Sequence, residues 1–450
     1  MSEQKMVRLR DLGVWSGGNT PSKARAEFWN DGVIPWVSPK DMKVHELSGS
    51  EDLISETALQ EGRVSLLPAE AVLVVTRSGI LSHSLPVAVT KVPVTINQDI
   101  KALVPHKDVC PRYVAHALRG ASQRILKTCS KHGTTVASVE TAALLDFEIP
   151  LLPLDEQRKV VAEIEKQFSR LDEAVANLQR IKANLKRYKA SVLKAAVEGR
   201  LVETEASIAQ REGRSYETGE QLLQRILEER RAKWVSKSKY KEPVEQTTAF
   251  TGVVPAGWTS ATVDQLGSVQ LGKMLDKQKH TAGAPYQYLR NINVRWGAFD
   301  VSDVFEMNFE NDELERFSIR SGDVLVCEGG EPARAAVWRS NQTDMKYQKA
   351  LHRVRFDGAY LPDLLVIALE HLAKSGVLDE LYGGSTIKHF TRETFVKLVL
   401  PVPPIAEQSR IVAEVDRHLS IIREVDADVD TNLQKAQALR HSVLKRLFSK

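Results

Sequence analysis

Polar side chains that could bind a nucleic acid lie in short segments that follow apolar runs of the sequence. Arg77 and Ser78 follow the run AVLVVT (71–76), and an arginine there could pair with guanine or hold a phosphate. The segments WSGGNTPSK (15–23) and IPWVSPKDM (34–42) carry further hydrogen-bond donors. The candidates in this half of the chain are Asn19, Thr20, Lys23, Lys40, Arg77, Ser78, Lys131, His132, Thr134 and Thr135.

A second set of candidates occupies matching places later in the chain. Arg290 and Asn291 end the strand-like run YQYLR, and an asparagine amide pairs well with adenine. The position equivalent to Arg77 is Gly329, with Glu328 and Gly330 beside it. Glu328 could accept a hydrogen bond from cytosine, but ending a strand is the simpler interpretation. The candidates here are Lys273, Arg290, Asn291, Ser385, Thr386, Lys388 and His389.

Each group of candidates also has a purely structural interpretation. The glycines of 15–23 could close a tight turn, and Lys40 could be an ordinary solvated lysine. Both copies keep glycine followed by two hydroxyl residues, at 133–135 and 384–386, which could be a structural turn. The basic run 180–189 is more often a solvated helix face than a surface for DNA. The sequence leaves these alternatives open.

The sequence lacks the motifs that would indicate catalysis. It contains no GxxxxGK[ST] phosphate loop, no GxGxxG, no HExxH and no cluster of histidine and cysteine ligands. The segment PVPP (401–404) lacks the Asn or Asp and the aromatic residue that would hold a flipped base. We therefore expect a non-catalytic chain that binds no cofactor and no metal.

Composition is that of an ordinary globular protein. Hydrophobic residues make up 42% and charged residues 27%, and the formal net charge of +4 is weak evidence for any partner. The three cysteines lie far apart, and neither a signal peptide nor an apolar run of membrane-spanning length is present. These features predict a cytoplasmic protein with free thiols.

An internal repeat decides the expected architecture. The stretch IPLLPLDEQRKVVAEIEKQF (149–168) returns as LPVPPIAEQSRIVAEVDRHL (400–419), at the shift of 251 residues that separates Pro150 from Pro401. The same shift aligns SVLK at 191–194 with SVLK at 442–445. Similarity is fainter upstream, where VLVVTRSG corresponds to VLVCEGG. The pattern predicts two diverged copies of an α/β domain, each followed by a long helix.

Apolar residues recur every 3.5 residues along both predicted helices, which is typical of a coiled coil. Lys182 and Lys189 interrupt the first apolar seam, and Asp426 and Arg440 interrupt the second. Neither helix can bury its seam alone, and its simplest partner is the other copy in the same chain. The seams are formed by Ile164, Phe168, Leu171, Val175, Leu178, Leu185, Val192 and Ala196, and by Val415, Leu419, Ile422, Val429, Leu433, Ala436, Val443 and Leu447.

We expect an α+β fold in which two α/β target recognition domains, related by the internal repeat, are separated by two long helices that pair as an antiparallel coiled coil. Such a pseudo-twofold object suits DNA, where paired readers of successive major grooves sit about 34–36 Å apart. Two dissimilar domains would read two different half-sites, and the helices would set the spacer. The predicted segments are 1–152 (first domain), 153–200 (first helix), 201–256 (charged linker with a short helix), 257–402 (second domain) and 403–450 (second helix).

The chain resembles the specificity subunits of Type I restriction–modification enzymes. The resemblance is carried by the two repeated helix segments, by SVLKAAVEGRL (191–201), by LLQRILEERRAKW (222–234) and by PAGW at the start of the second half. The first half lacks this PAGW-like opening. The resemblance implies that the chain chooses a DNA sequence and docks two methyltransferase subunits. It also implies that S-adenosylmethionine, ATP and Mg are used by these methyltransferases and by the restriction and translocase subunits, and not by this chain.

A different class of function remains open at this point. The same two modules on paired helices could form a bivalent adaptor that binds protein or glycan ligands without DNA. Salt-dependent binding to DNA separates the two hypotheses, because only a DNA reader releases counterions from phosphates.

Overall fold

The computed structural model describes residues 5–61, 64–131, 136–235, 239–245, 254–274, 283–342, 344–356, 359–384 and 388–448. The chain divides into two compact units. Unit 1 comprises Met1–Arg180 with Val429–Lys450, and unit 2 comprises Ile181–Asp428. Each unit therefore contains one globular segment and parts of both long helices. Within the described ranges, no helix combines the length and apolarity that a membrane span needs.

Unit 1 is built on three small sheets and the helices that cover them. Its strands are β1 (Lys5–Arg8), β2 (Gly13–Gly17), β3 (Ile34–Val37), β4 (Glu46–Leu47), β5 (Asp52–Ile54), β6 (Val72–Val75), β7 (Val87–Thr90), β8 (Thr95–Ile96), β9 (Ile100–Pro105) and β10 (Glu148–Leu151). Its helices are α1 (Glu56–Glu61), α2 (Pro111–Gly120), α3 (Ser122–Cys129), α4 (Thr141–Asp146) and the first long helix, α5 (Leu154–Val197), of which residues to Arg180 belong to this unit. Short 3₁₀ turns occupy Leu9–Leu12, Ala26–Phe28 and Gly79–Ser82.

The largest sheet of unit 1 has the order β2-β9-β6-β7-β4, and β4 lies parallel to β7 while the other neighbours are antiparallel. The second sheet has the order β5-β3-β8, with β3 and β8 parallel, and β1 pairs with β10 in a two-stranded sheet. All four residues of β6 are buried, as expected for an uninterrupted apolar run in a central strand. Tyr113, Val114 and Leu118 of α2 complete the core over this sheet.

Unit 2 repeats this topology. Its strands are β11 (Thr259–Thr262), β12 (Gly267–Leu271), β13 (Ala284–Leu289), β14 (Val294–Arg295), β15 (Ala298–Phe299), β16 (Phe305–Phe309), β17 (Val324–Cys327), β18 (Ala335–Val337), β19 (Lys346–Tyr347), β20 (Leu351–Phe356) and β21 (Val399–Val402). Its helices are α6 (Glu205–Glu212), α7 (Gly219–Ala232), α8 (Val263–Leu266), α9 (Glu313–Arg316), α10 (Pro362–Lys374), α11 (Arg392–Val396) and the second long helix, α12 (Ile405–Phe448), with 3₁₀ turns at Asn291–Asn293 and Val377–Leu381.

Apart from β4, which has no counterpart among the described strands of unit 2, the strand orders of the two units correspond. In unit 2 they are β12-β20-β17-β18, then β16-β13-β19 and β11-β21, and β13 and β19 are again parallel. Unit 2 adds a short hairpin of β14 and β15. The internal repeat and the α+β fold class are therefore confirmed, although most of the strand pairs in both units are antiparallel. The division into five sequence segments remains a prediction, since the contacts group parts of both long helices with each globular segment.

The two long helices pair in antiparallel fashion within each unit. In unit 2, Lys182 contacts Asp426, whereas Tyr188, farther along the first helix, contacts His418, which lies earlier on the second helix. Lys182 lies 3.8 Å from the carboxylate of Asp426, and the hydroxyl of Tyr188 is 2.8 Å from Nδ1 of His418. In unit 1, Arg440 pairs with Asp172 and its guanidinium stacks on the ring of Phe168.

The charged residues that interrupt the predicted apolar seams are used as polar contacts. Lys182 and Asp426 face each other, and Lys189 bonds to Glu370 of α10 at 2.6 Å. The side chains of Lys182 and Asp426 are partly exposed, so this pair adds little to the free energy of unfolding, whereas Glu370 is buried. Opposite charges at matched positions do disfavour other registers of the two helices.

A buried glutamine ties the start of each long helix to its own globular segment. In unit 1, the Gln157 amide oxygen accepts from the Cys110 N–H (2.8 Å), and its nitrogen donates to the carbonyls of Leu152 (2.7 Å) and Asp108 (3.2 Å). Gln408 repeats the three bonds in unit 2, with Leu361 N (2.9 Å), Pro403 O (2.9 Å) and Ala359 O (3.4 Å). This geometry explains why the sequence carries a glutamine at both places.

Replacement of Gln408 by alanine is expected to lower the free energy of unfolding of unit 2 by about 1–3 kcal/mol, because it leaves buried backbone groups without partners. Hydrogen exchange of the backbone amides around 359–361 measures this loss. The exposed neighbour Ser409 provides the matched control, since Ser409→Ala should change stability by less than about 0.5 kcal/mol. Equal effects of the two substitutions would show that the amide does not anchor the helix.

Candidate nucleic-acid interface

Four loops meet at one end of the sheets of unit 1. They are 18–20, 38–41, 76–79 and 97–99, and we call them together the unit 1 loop edge. Backbone hydrogen bonds hold them side by side, from Asn19 N to Ile96 O (3.0 Å), from Asn97 N to Val37 O (2.9 Å) and from Arg77 N to Asp99 O (3.2 Å). The strand ends thus bring together segments that are distant in the sequence.

A glycine permits the closest of these approaches. A Cβ atom on Gly18 would lie 2.1 Å from the carbonyl oxygen of Ile96 and 2.2 Å from that of Asn97. Gly272 stands at the corresponding place in unit 2, where a Cβ would lie 2.2 Å from the carbonyl oxygen of Gln348. These glycines therefore serve the loop packing, as the structural interpretation of the sequence allowed, and this packing sets the position of the side chains beside them.

Arg77 is held in place on the unit 1 loop edge by a carboxylate. Its Nε lies 2.6 Å from Oδ1 of Asp99, and Asn97 donates to Oδ2 of the same carboxylate at 3.1 Å. The Arg77 side chain is still 56% exposed. Because the bond to Asp99 uses Nε, the two terminal nitrogens can donate to a guanine edge or to a phosphate.

The other candidates of unit 1 surround Arg77 or lie farther away. Thr20 donates to the side chain of Gln98, and Asn19 accepts from the Thr20 N–H at 2.9 Å. Ser78 N donates to Ala137 O (3.1 Å) and Lys131 N to Ser138 O (2.9 Å), so these two candidates lie on neighbouring segments. Lys23 and Lys131 are exposed, whereas His132, Thr134 and Thr135 lie outside the described residues.

The ammonium of Lys40 is directed toward acidic side chains. It lies 2.9 Å from Asp52 and 3.2 Å from Glu51, and the hydrogen bond to Asp52 raises the pKa of Lys40. Both carboxylates would oppose a phosphate at this place. Of the lysines predicted in unit 1, Lys40 is therefore the one least suited to bind DNA.

Unit 2 builds a loop edge on the same backbone frame. It consists of 272–273, 290–293, 328–331 and 348–350, and we call it the unit 2 loop edge. Its bonds run from Lys273 N to Tyr347 O (3.1 Å), from Gln348 N to Leu289 O (3.1 Å) and from Glu328 N to Ala350 O (2.9 Å). The bond from Glu328 N to Ala350 O repeats the bond from Thr76 N to Asp99 O (2.8 Å) in unit 1. Glu328 and Ala350 therefore stand where Thr76 and Asp99 stand, and Gly329 takes the place of Arg77.

The side chains on the unit 2 loop edge differ from those of unit 1. Arg290 donates to the Asp303 carboxylate at 2.8 Å and stacks on Phe305, with its guanidinium carbon 3.7 Å from the ring centre. The Asn291 amide donates to Gly329 O at 3.3 Å. Lys388 pairs with Asp379 at 2.7 Å and stays exposed.

His389, also exposed, approaches the backbone at Gly329, and its own backbone bonds to Gly383 in both directions. It therefore adjoins the unit 2 loop edge next to Glu328. Ser385 and Thr386, which were predicted beside it, lie outside the described residues.

Lys273 does not offer its charge to a ligand. The side chain is only 3% exposed, and its ammonium bonds to the carboxylate of Glu313 and to Asn308 O at 2.9 Å. The ring of Phe309 lies beneath it. A loop lysine next to a glycine gave no hint of this burial, because its partners come from β16 and α9. Lys273 is therefore not available to bind DNA in the way that the sequence predicted.

Sequence reasoning missed the partners that orient the candidates. Asp99 and Asn97 fix Arg77, Gln98 bonds to Thr20, and Asp303 holds Arg290. Each lies on a different loop from the residue that it orients. Only the alignment of the two copies gives a signal, because it places Asp99 opposite Ala350 and Arg77 opposite Gly329, so that both charges are missing from the same places of unit 2.

Comparison with known proteins identifies relatives for both the first half and the full length. The sequence model described as "Type I restriction modification DNA specificity domain" matches residues 1–187. The specificity subunit of the type I restriction enzyme EcoR124I/EcoR124II of Escherichia coli is 41% identical over 164 residues, which cover 36% of this chain and 41% of that one. The MjaIX specificity subunit of Methanocaldococcus jannaschii is 30% identical over 156 residues, or 34% and 35% of the two chains. The alignments thus span less than half of these two relatives.

Longer alignments have lower identity. The EcoKI specificity subunit of Escherichia coli K12 is 20% identical over 418 residues, covering 92% of this chain and 75% of that one. The HsdS subunit from Thermoanaerobacter tengcongensis superimposes with a TM-score of 0.55 at 14% identity, covering 98% and 95% of the two chains. A chain from a study of complex assembly in the type I R-M system gives a TM-score of 0.66 at 16% identity, with 99% and 97% covered. At these identities the structures establish a common fold.

Replacement of Gly18 by alanine is expected to destabilise unit 1 by about 1–3 kcal/mol, because the new methyl group would collide with two backbone carbonyls. Denaturant unfolding measures the loss. Gly49→Ala is the matched control, since a Cβ there has no neighbour within 4 Å. If Gly18→Ala were as stable as the control, the close approach of the loops would not depend on this glycine.

Proposed function

We propose that the chain belongs to the type I restriction–modification DNA specificity family, and that each of its units reads one half of a bipartite, asymmetric DNA target. In this proposal the chain is the non-catalytic specificity subunit of the complex. Adenine methylation with S-adenosylmethionine, and ATP- and Mg-dependent translocation and cleavage, belong to methyltransferase and restriction subunits. Two methyltransferase subunits dock on the chain, which binds no cofactor itself and works in the cytoplasm.

One observation carries this proposal: the two loop edges share a backbone frame and differ in the side chains that it displays. Arg77 with Asp99 in unit 1 is replaced by Gly329 with Ala350 in unit 2, and the neighbouring Glu328 takes the place of Thr76. A guanidinium donates hydrogen bonds, as guanine N7 and O6 require, whereas a carboxylate accepts them, as the cytosine amino group requires. Loop edges that display different chemistry on one frame would recognise different bases, so the two half-sites would differ.

The proposed contacts divide by chemistry. Arg77 and Glu328 are the base readers that the frame supports best, together with Asn19 and Asn291, whose amides suit adenine. Lys23, Lys131, Ser78, Thr20, Lys388 and His389 supply donors for phosphates. Arg290 and Lys40 keep carboxylate partners and would need to exchange them for DNA. The predicted contacts of His132, Thr134, Thr135, Ser385 and Thr386 remain predictions.

In this proposal, the two long helices set the length of the spacer between the half-sites. Each of them contributes residues to both units, and their pairing is antiparallel within each unit. The unread spacer of the target would then follow the helix length. Insertion of one helical turn in both helices should lengthen the recognised spacer and leave both half-sites unchanged. Sequencing of methylated sites in the host measures the spacer length directly. An unchanged spacer length would contradict the proposal that the helices set it.

Replacement of Arg77 by alanine is expected to weaken recognition of one base in one half-site by about 1–3 kcal/mol, or roughly tenfold to a hundredfold. Methylome sequencing of cells that carry the variant and its methyltransferase partners should show relaxed specificity at a single position. The other half-site should stay intact, because it is read by unit 2.

Arg10→Ala is the matched control for this experiment. It removes the same charge from an ion pair of unit 1, with Asp146 at 2.5 Å, at the opposite end of β2 from Gly18. A general loss of methylation in both variants would indicate a nonspecific effect of charge. An unaltered methylation pattern in Arg77→Ala would remove Arg77 from the interface. Absence of any salt-dependent binding to DNA, alone or with a methyltransferase, would instead favour the bivalent adaptor.

A further inference from the structure

In unit 2, the helices α6 and α7 cover the β11–β21 sheet and the start of the second long helix. Leu222 and Ile226 of α7 are fully buried against this sheet. At Gly219 the two backbones touch, since a Cβ there would lie 2.1 Å from the carbonyl oxygen of Val402. We call the segment 201–232 the cover.

Polar contacts anchor the cover on the long helix. The backbone N–H of Glu205, at the first turn of α6, donates to the carboxylate of Glu407 at 2.8 Å. The Glu205 carboxylate in turn pairs with Arg410 at 2.7 Å. Both glutamates are buried, and burial raises the pKa of Glu407. Two contacts therefore anchor the cover. The N-terminus of α6 bonds to Glu407, and the acidic side chain of Glu205 pairs with the basic side chain of Arg410.

Unit 1 keeps the residues that bind the cover. At the shift of 251 residues, Glu407 corresponds to Glu156 and Arg410 to Lys159. The apolar residues Val402, Pro403 and Ile411 correspond to Leu151, Leu152 and Val160. The receiving surface thus has the same chemistry in both units, and we call its copy in unit 1 the bare face.

Within the part of unit 1 that the structure describes, no helix pair covers the bare face. Glu407 is 0% exposed in unit 2, whereas Glu156 is exposed, and its carboxylate has no hydrogen bond or ion pair among the described residues. Lys159 is likewise exposed there without an acidic partner. Leu151, Leu152 and Val160 are only half-buried, and Met6 of β1 is 40% exposed.

We propose that the bare face docks a helical segment of a partner protein that has the chemistry of the cover. Such a segment has an acidic residue in the first turn of a helix, followed along the chain by an apolar helix face that carries leucine or isoleucine. The exposed Lys5 and Lys159 add positive charge, which an acidic first turn complements. The partner is a different protein and not a second copy of this chain, because the cover of each copy is already buried in its own unit 2. The proposal goes beyond the reading of DNA and does not depend on it.

A labelled peptide of residues 199–234 serves as the probe, since it carries the known cover. Fluorescence anisotropy with the full chain should show saturable binding, and Glu156→Arg should weaken it by about tenfold or more. Glu173→Arg, on an exposed position farther along the same helix, should leave the binding unchanged. Both substitutions are at exposed sites, so thermal unfolding should be the same for the two variants.

A charge exchange makes the test specific for the bare face. The peptide with Glu205→Lys should bind the native chain poorly and should bind the Lys159→Glu chain better than the native peptide does. Peptide binding that is insensitive to substitutions at Glu156 and Lys159 would overturn the proposal, since the peptide would then be exchanging with the cover of unit 2. Dimerisation of the chain that Glu156→Arg abolishes would also overturn it, because the occupant would then be a second copy.

Discussion

The position of each long helix on its own globular segment rests on one buried primary amide. Gln157 and Gln408 each make three hydrogen bonds to the backbone of the segment that precedes the helix. An amide that is removed from water must have its donors and acceptor paired, and only one orientation of the helix start provides all three partners. An apolar side chain of the same size could fill the space but would not select this orientation. The start of each long helix is therefore placed by a polar contact, although apolar burial supplies most of the stability of the units.

The repeat made most of the fold predictable, because two diverged copies of one pattern indicate the same elements twice. The long helices were expected at 153–200 and 403–450 and span Leu154–Val197 and Ile405–Phe448. The order of the strands was not predictable, since β3 pairs with β8 and β2 with β9 across long stretches of sequence. Lys182 and Asp426 could be recognised only as interruptions of two separate seams, and their pairing becomes visible once the helices lie side by side.

The sequence predicted which loops form the candidate site, but it did not predict how their side chains are oriented. Arg77 follows a buried strand and lies at a loop edge, as the pattern indicated, but its geometry is set by Asp99 from another loop. Lys273 follows a strand in the same way, yet Glu313 and Asn308 draw its ammonium into the interior. The local sequence cannot distinguish the two cases, because the difference lies in which distant residues line the space around each side chain.

The separation of frame from side chain explains how the two copies could diverge in what they display and still keep one fold. Backbone N–H and carbonyl groups join the loops of each edge, and these bonds place no demand on the side chains at the same positions. The side chains are nevertheless coupled in pairs. If Arg77 alone were lost, the base that it is proposed to read would lose its hydrogen-bond donors, and Asp99 would be left without its ion-pair partner. If Asp99 alone were lost, Arg77 would be free to rotate and would lose selectivity. Unit 2 has changed both positions, to Gly329 and Ala350, so a change of recognition in this frame is expected to require two substitutions from different loops and not one.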